Sequence, residues 1–71
     1  MDKVKGFKNL TKGQQDILIT TNARHVAGVG TDEKDGYTPV EVAPMSPVRN
    51  KIKVWFKNGE WLYYLPDGSW Y

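Results

Sequence analysis

Residues 52–65 of the chain read IKVWFKNGEWLYYL, two apolar runs on either side of Asn58-Gly59. An Asn-Gly pair between such runs is the strongest local signal for a β-hairpin with a two-residue turn. A turn of that length fixes the register of the two strands. In the predicted register, Trp55 faces Leu62 and Phe56 faces Trp61.

The predicted hairpin has two faces, because side chains alternate between the sides of a strand. The core face is predicted to carry Ile52, Val54, Phe56, Trp61, Tyr63 and Leu65. The outer face is predicted to carry Lys51, Lys53, Trp55, Lys57, Glu60, Leu62 and Tyr64. This second face is unusually apolar for a solvent-facing surface, and an exposed apolar patch on a small protein marks an interaction site.

A second turn follows at residues 65–69, which read LPDGS. Pro and Asp suit a type I turn, and the glycine suits a left-handed residue after it. The chain is then predicted to return as a third strand that pairs Trp70 with Tyr64 and Tyr71 with Tyr63. This pairing adds Trp70 to the predicted outer face and Tyr71 to the core face.

The N-terminal half carries conflicting signals. Thr11 and Gln14 fit a capping box, which predicts that a helix begins there. The apolar residues that follow form no stripe on a helical wheel, and residues 17–21, which read ILITT, are rich in β-branched side chains that favour a strand. We therefore predict one helical turn followed by a strand, with an intact helix over residues 12–26 as the alternative.

The middle of the chain is predicted to be mostly connection. Residues 23–29 are predicted to pair loosely with the preceding strand. Val40-Glu41-Val42 alternates and predicts a short strand. Pro39 and Pro44 cannot donate to a ladder, so this strand is expected at a sheet edge. Residues 44–47 are predicted to form a stiff connector.

These elements predict a mainly β fold, either a small antiparallel meander or an SH3-like barrel, with one short N-terminal helical turn. A sheet with one short helix is the second arrangement. The 71 residues fit one domain. We predict a basic N-terminal arm over residues 1–10 and a single small β domain over residues 11–71.

Composition excludes several classes of protein. The chain has no cysteine, so disulfides and thiolate zinc sites are excluded. It has no apolar run long enough to span a membrane and no apolar segment typical of a signal peptide, so we expect a cytoplasmic protein. His25 has no acid or nucleophile at a meaningful spacing and is predicted to be a surface or hydrogen-bonded polar residue. We expect no enzymatic activity, cofactor or metal site.

The aromatic and basic residues of the predicted outer face favour a small non-enzymatic binding module that acts on a protein partner. The predicted binding residues are Trp55, Leu62, Tyr64, Trp70, Lys51, Lys53 and Lys57. Trp and Tyr are typical interface anchors. The size and simplicity of the chain suit a regulator or inhibitor of the kind that phages and mobile elements encode. The alternatives for this face are a homodimer and coverage by the N-terminal half.

Nucleic-acid binding by a small β-barrel is the alternative function. Such barrels stack bases on aromatic side chains within a basic groove, and Lys51, Lys53 and Lys57 flank the aromatic residues. The formal charge of only +2 and the acidic segment over residues 31–47 weigh against this function.

One resemblance suggests a third function. Asn58-Gly59-Glu60-Trp61, with Tyr63-Tyr64-Leu65 and Asp67-Gly68, resembles the aromatic hairpin of the choline- and glucan-binding repeats of surface proteins. The resemblance implies cell-wall or sugar binding. It covers one hairpin, in which Leu62 interrupts the aromatic run, and no second copy occurs in the chain. Any aromatic hairpin built on Asn-Gly shares this turn chemistry, so wall binding ranks below the other two functions.

Overall fold

The computed structural model describes residues 3–46 and 50–71 and shows an α+β fold. Its elements are the helices α1 (Lys12–Ala27) and α2 (Thr31–Lys34) and the strands β1 (Pro39–Ser46), β2 (Lys51–Phe56) and β3 (Trp61–Tyr64). Two 3-10 turns, Phe7–Asn9 and Asp35–Tyr37, precede α1 and β1. The strands form one antiparallel sheet in the order β1-β2-β3. The predicted mainly β fold, whether meander or SH3-like barrel, is therefore wrong.

Helix α1 replaces the predicted helical turn and strand. Its predicted start is confirmed, because the Thr11 hydroxyl accepts from the Gln14 backbone N–H at 3.1 Å and the Gln14 side chain accepts from the Thr11 N–H at 2.9 Å. This reciprocal capping box satisfies backbone donors that the first turn leaves unpaired. The helix then continues through residues 17–21 and on to Ala27, so the strand and the loose hairpin predicted there are wrong.

Helix α1 continues through this segment because one of its faces is buried. That face is mainly polar, so the hydropathy of the sequence does not indicate it. The buried residues of α1 lie on one face of the helix and are Gln14, Leu18, the adjacent pair Thr21 and Asn22, and His25. Only Leu18 is an aliphatic side chain. No buried side-chain nitrogen or oxygen in the described part of the chain lacks a hydrogen-bond partner, so burying this polar stripe leaves no group unpaired. Packing of this face, rather than local propensity, supplies most of the helical stability.

The hairpin between β2 and β3 forms at Asn58-Gly59 as predicted, but its register differs by one residue. Trp55 pairs with Trp61 and Val54 with Leu62. The prediction that Trp55 faces Leu62 is therefore wrong.

The loop accounts for this register. Phe56 donates its N–H to the Glu60 carbonyl at 2.8 Å and accepts from the Gly59 N–H at 2.9 Å. These bonds close a loop of three residues in which Gly59 has φ 89° and Asn58 keeps a negative φ. A two-residue type I′ turn needs positive φ at both central residues, whereas a type I turn followed by a left-handed glycine gives a three-residue loop with a bulge.

The shift of one residue exchanges the two faces of β3. Tyr64 is fully buried on the side of the sheet that faces α1, and Leu62 is half-buried against the same core. Trp61 and Tyr63 lie on the opposite side, although the sequence predicted them in the core.

The predicted return of the chain after residues 65–69 is confirmed. Trp70 forms a β-bridge with Tyr64, and Tyr63 and Tyr71 exchange backbone hydrogen bonds of 2.9 and 3.1 Å. The pairing is an isolated bridge rather than a full third strand. Since it follows the register of β3, Trp70 lies on the α1 side and Tyr71 on the opposite side, the reverse of the prediction.

Strand β1 is longer than predicted and occupies a sheet edge, as its prolines indicated. Residues 44–46 continue the strand instead of forming a connector, and residue 47 lies outside the described residues. On its free side, β1 forms a parallel bridge with Lys5, which donates to the Val40 carbonyl at 3.1 Å and accepts from the Val42 N–H at 2.8 Å. The boundary between an arm and a domain at residues 10 and 11 stays a prediction.

The core lies between α1 and one side of the sheet. Its buried apolar residues are Leu10, Leu18, Val42, Ile52, Val54, Phe56 and Tyr64. Val4 and Phe7 from the N-terminal segment pack against this cluster. In residues 3–46 and 50–71, this core occupies one side of the sheet.

Gly6 is expected to be essential for docking the N-terminal segment on β1. It has φ 88°, and a Cβ at this position would collide with the Val42 carbonyl oxygen. Gly6→Ala should lower the free energy of unfolding by at least about 2 kcal/mol, because an L-residue disfavours this conformation and the backbone would have to move. Urea denaturation followed by tryptophan fluorescence measures the change.

Gly13→Ala is the matched control. Gly13 lies in α1, and the nearest atom to an added Cβ is the Thr11 hydroxyl oxygen at 3.9 Å. Alanine should therefore raise the stability by about 0.5 kcal/mol. Equal effects of the two substitutions would contradict the proposed role of Gly6.

Candidate interaction surface

The side of the sheet that faces away from α1 is called the outer face here. Strand pairing and alternation assign it Glu41, Ala43, Lys51, Lys53, Trp55, Trp61, Tyr63 and Tyr71. Trp61 is 47% exposed and Tyr71 is 59% exposed, whereas Trp55 and Tyr63 are half-buried. The outer face is therefore an aromatic surface that remains accessible to solvent.

Lys51 lies against the two tyrosine rings of the outer face. Its ammonium nitrogen is 4.3 Å from the Tyr63 ring centroid and 5.2 Å from that of Tyr71. It also donates to the Tyr71 hydroxyl at 2.6 Å. Cation–π contacts at exposed sites contribute about 0.5–1 kcal/mol each, so these contacts favour one position of an otherwise flexible side chain.

Lys53 makes the equivalent contacts with the two tryptophans. Its ammonium nitrogen is 4.1 Å from the Trp61 ring centroid and 4.9 Å from that of Trp55. Trp61 in turn meets Tyr63 edge-on, with ring centroids 5.3 Å apart and planes inclined at 76°. The lysines and rings therefore form one continuous patch.

Three of the predicted binding residues, Lys51, Lys53 and Trp55, lie together on the outer face. Lys57 lies in the hairpin loop, where its ammonium group pairs with the Asp35 carboxylate at 2.9 Å. Leu62, Tyr64 and Trp70 lie on the α1 side, so their predicted position beside Trp55 is wrong.

Sequence reasoning missed Trp61, Tyr63 and Tyr71 as members of the outer face. Their aromatic character was evident, but the two-residue loop placed all three in the core. The three-residue loop that Asn58-Gly59 also permits would have assigned them to the outer face.

A polar cluster lies beneath the opposite side of the sheet. The Tyr64 hydroxyl accepts from the Asn22 amide at 3.0 Å and lies 2.9 Å from Nδ1 of His25. The hydroxyl can accept from the Asn22 amide nitrogen and hydrogen-bond to Nδ1 of His25 at the same time, so one group on β3 joins two side chains of α1. The predicted alternative of a hydrogen-bonded polar histidine is confirmed.

Aromatic rings surround this histidine. The His25 ring centroid is 4.6 Å from that of Tyr37, 5.1 Å from Trp70 and 5.5 Å from Phe56. Burial lowers the pKa of His25 from its ordinary 6.5, with the charge of Glu60 acting in the opposite direction. Burial also raises the pKa of Tyr64 to about 12. Both shifts favour neutral groups that hold α1 to the sheet.

Comparisons with protein-family models, with curated proteins and with solved structures find no match for the chain. In residues 3–46 and 50–71, no helix has the length and apolar character needed to cross a membrane. The same residues contain no group of three or more His, Cys, Asp or Glu placed to hold a metal ion.

The buried His25 predicts a pH-dependent stability. Since its pKa is lower in the folded chain, the unfolded chain binds more protons between that value and 6.5. The free energy of unfolding should therefore rise with pH across this window, by at most about 1.4 kcal/mol per pH unit, and level off above it. Urea denaturation between about pH 5 and pH 8 measures the slope.

His25→Gln is the control for this prediction, because His25 is the only histidine of the chain. The variant should be less stable overall and should lose the pH dependence in that window. A wild-type profile that is flat, or the same slope in both proteins, would contradict the assignment.

Proposed function

We propose that the protein is a small non-enzymatic binding module, of the regulator or inhibitor type, that acts on a protein partner through the outer face. The observation that carries this proposal is the placement of four aromatic rings and two lysines on the side of the sheet opposite α1. Trp and Tyr dominate the binding energy of protein interfaces. An apolar patch of this kind on a small protein is typical of an interaction site.

Preorganisation of the outer face supports the proposal. Tyr63 contacts Trp61 on one side and Tyr71 on the other, at centroid distances of 5.3 and 5.2 Å. Trp61 and Tyr63 are held by strand pairing, and Tyr71 by its backbone bonds to Tyr63. Rings held in this way lose little conformational entropy when a partner binds.

Single-stranded nucleic acid is the second candidate ligand, because lysines and aromatic rings alternate on the outer face as in stacking platforms. The ring geometry favours a protein instead. Ammonium groups already lie over the faces of Trp61 and Tyr63, so a stacking base would have to displace them. The inclinations of 76° and 45° between successive rings also prevent a parallel series of stacked bases.

Paired substitutions on the two sides of the sheet test whether the outer face is free to bind. Trp61→Ala should lower the free energy of unfolding by about 1–2 kcal/mol, since it removes the contacts with Lys53 and Tyr63 but the side chain is 47% exposed. Phe56→Ala should cost about 3–5 kcal/mol, because Phe56 is buried in the core. Urea denaturation measures both, and a large loss with Trp61→Ala would contradict an interaction role for this face.

The same variant tests binding. The tagged wild-type chain captures partners from lysate, and each captured protein is purified and titrated separately. Trp61→Ala should weaken its binding at least about tenfold. Ile19→Ala should leave binding unchanged, since Ile19 on α1 is equally exposed at 47%. Unchanged binding by Trp61→Ala would contradict the proposal, and saturable, salt-sensitive binding of an oligonucleotide without a protein partner would favour the second candidate.

A further inference from the structure

Lys51 and Lys53 form a regular pair of cations on the outer face. They lie two residues apart on β2 and their side chains point to the same side. Alternate residues of a strand repeat at about 6.7 Å. Lys51 and Lys53 are therefore spaced along β2 like alternate residues of another extended chain.

Neither of these cations has an anionic partner in the described part of the chain. The ion pair found there joins Lys57 to Asp35, whereas Lys51 and Lys53 lie on aromatic rings. Exposed lysines usually lose conformational entropy when they form an ion pair, which reduces its net contribution. Here the rings already restrict the side chains, so less entropy remains to be lost when an anion binds.

We infer that the outer face recognises an extended, acidic segment of its partner in which carboxylates occupy alternate residues. The inference rests on the proposed function and specifies its partner. Alternate side chains of an extended segment share one face and the same repeat of about 6.7 Å. Two successive carboxylates can therefore meet Lys51 and Lys53 together, while the segment contacts the exposed parts of Trp61 and Tyr71.

The arrangement of cations and rings favours carboxylates over a stacked nucleic acid. A carboxylate approaches an ammonium group from the solvent side and leaves the contact of Lys53 with Trp61 intact. A stacking base needs the ring face that the ammonium group occupies. An acidic peptide can therefore bind without moving the ammonium groups of Lys51 and Lys53.

Glu41 limits how far the acidic segment extends across the outer face. It is the pairing partner of Trp55 on β1 and lies on the same side of the sheet. A carboxylate placed beyond Lys53 towards Glu41 would meet a like charge, which disfavours binding. The preferred segment therefore has its two carboxylates opposite Lys51 and Lys53 and a neutral or basic residue near Glu41.

Two synthetic peptides of identical composition test this inference with the full chain. In the alternating peptide, one threonine separates two glutamates within a run of threonines; in the block peptide, the two glutamates are adjacent. Titration followed by tryptophan fluorescence, to which Trp55 and Trp61 of the outer face contribute, should show saturable binding of the alternating peptide. Its Kd should be about two- to fivefold lower than that of the block peptide, because the block places fewer carboxylates on one face. Binding should weaken as salt is added.

Lysine variants provide the matched comparison. Lys51→Gln and Lys53→Gln should each raise the Kd of the alternating peptide about two- to fivefold. Lys12→Gln should leave this Kd unchanged. Lys12 is an exposed lysine at the start of α1 and serves as the control. Urea denaturation of each variant verifies that it remains folded.

The outcomes separate this inference from the proposed function. Equal binding of both peptides, insensitive to the lysine variants but lost with Trp61→Ala, would overturn the inference and support a protein-binding outer face. Absence of peptide binding would also overturn it, and the captured partner would then decide the proposed function. Saturable binding of oligothymidylate in the absence of peptide binding would overturn both.

Discussion

The hydrogen bonds of the buried Tyr64 hydroxyl are the constraint on which the rest of the structure depends. The hydroxyl joins Asn22 and His25 of α1 to β3 at 3.0 and 2.9 Å. A buried polar group left without its partner costs about 1–3 kcal/mol. If β3 slipped by one residue, the Tyr64 ring would leave the core, and both side chains of α1 would lose this partner. The polar stripe of the helix therefore stabilises the register that the three-residue loop sets.

That register determines the composition of the outer face. Leu62 and Tyr64 lie on the core side of β3. Since side chains alternate along a strand, Trp61 and Tyr63 lie on the other side. The return of the chain after residue 69 then adds Tyr71 beside Tyr63. The aromatic patch is thus a direct consequence of how the helix and the sheet pack, since the same strand supplies both the buried hydroxyl and the exposed rings.

Local signals in the sequence predicted the points at which elements begin and turn. The capping box at Thr11 and the hairpin at Asn58-Gly59 both occur where expected. The extent of α1 could not be predicted from hydropathy, because its buried stripe is mainly polar and its stability comes from contacts with residues far along the chain. The register of the hairpin could not be predicted from the local sequence either. Residues 61–64 read WLYY, so either register places large apolar side chains on both faces. The three-residue loop and the polar partners on α1 together distinguish the two arrangements.

Lys51 and Lys53 lie where the outer face exposes large aromatic side chains to solvent. A chain of 71 residues has a thin core, so leaving Trp61 and Tyr71 about half exposed gives up apolar burial worth about 25 cal/mol per Å². The ammonium groups of Lys51 and Lys53 lie over the Tyr63 and Trp61 rings and so place charge on an otherwise apolar patch. The rings in turn hold the two charges at fixed positions. The proposed recognition of an acidic segment depends on these same contacts.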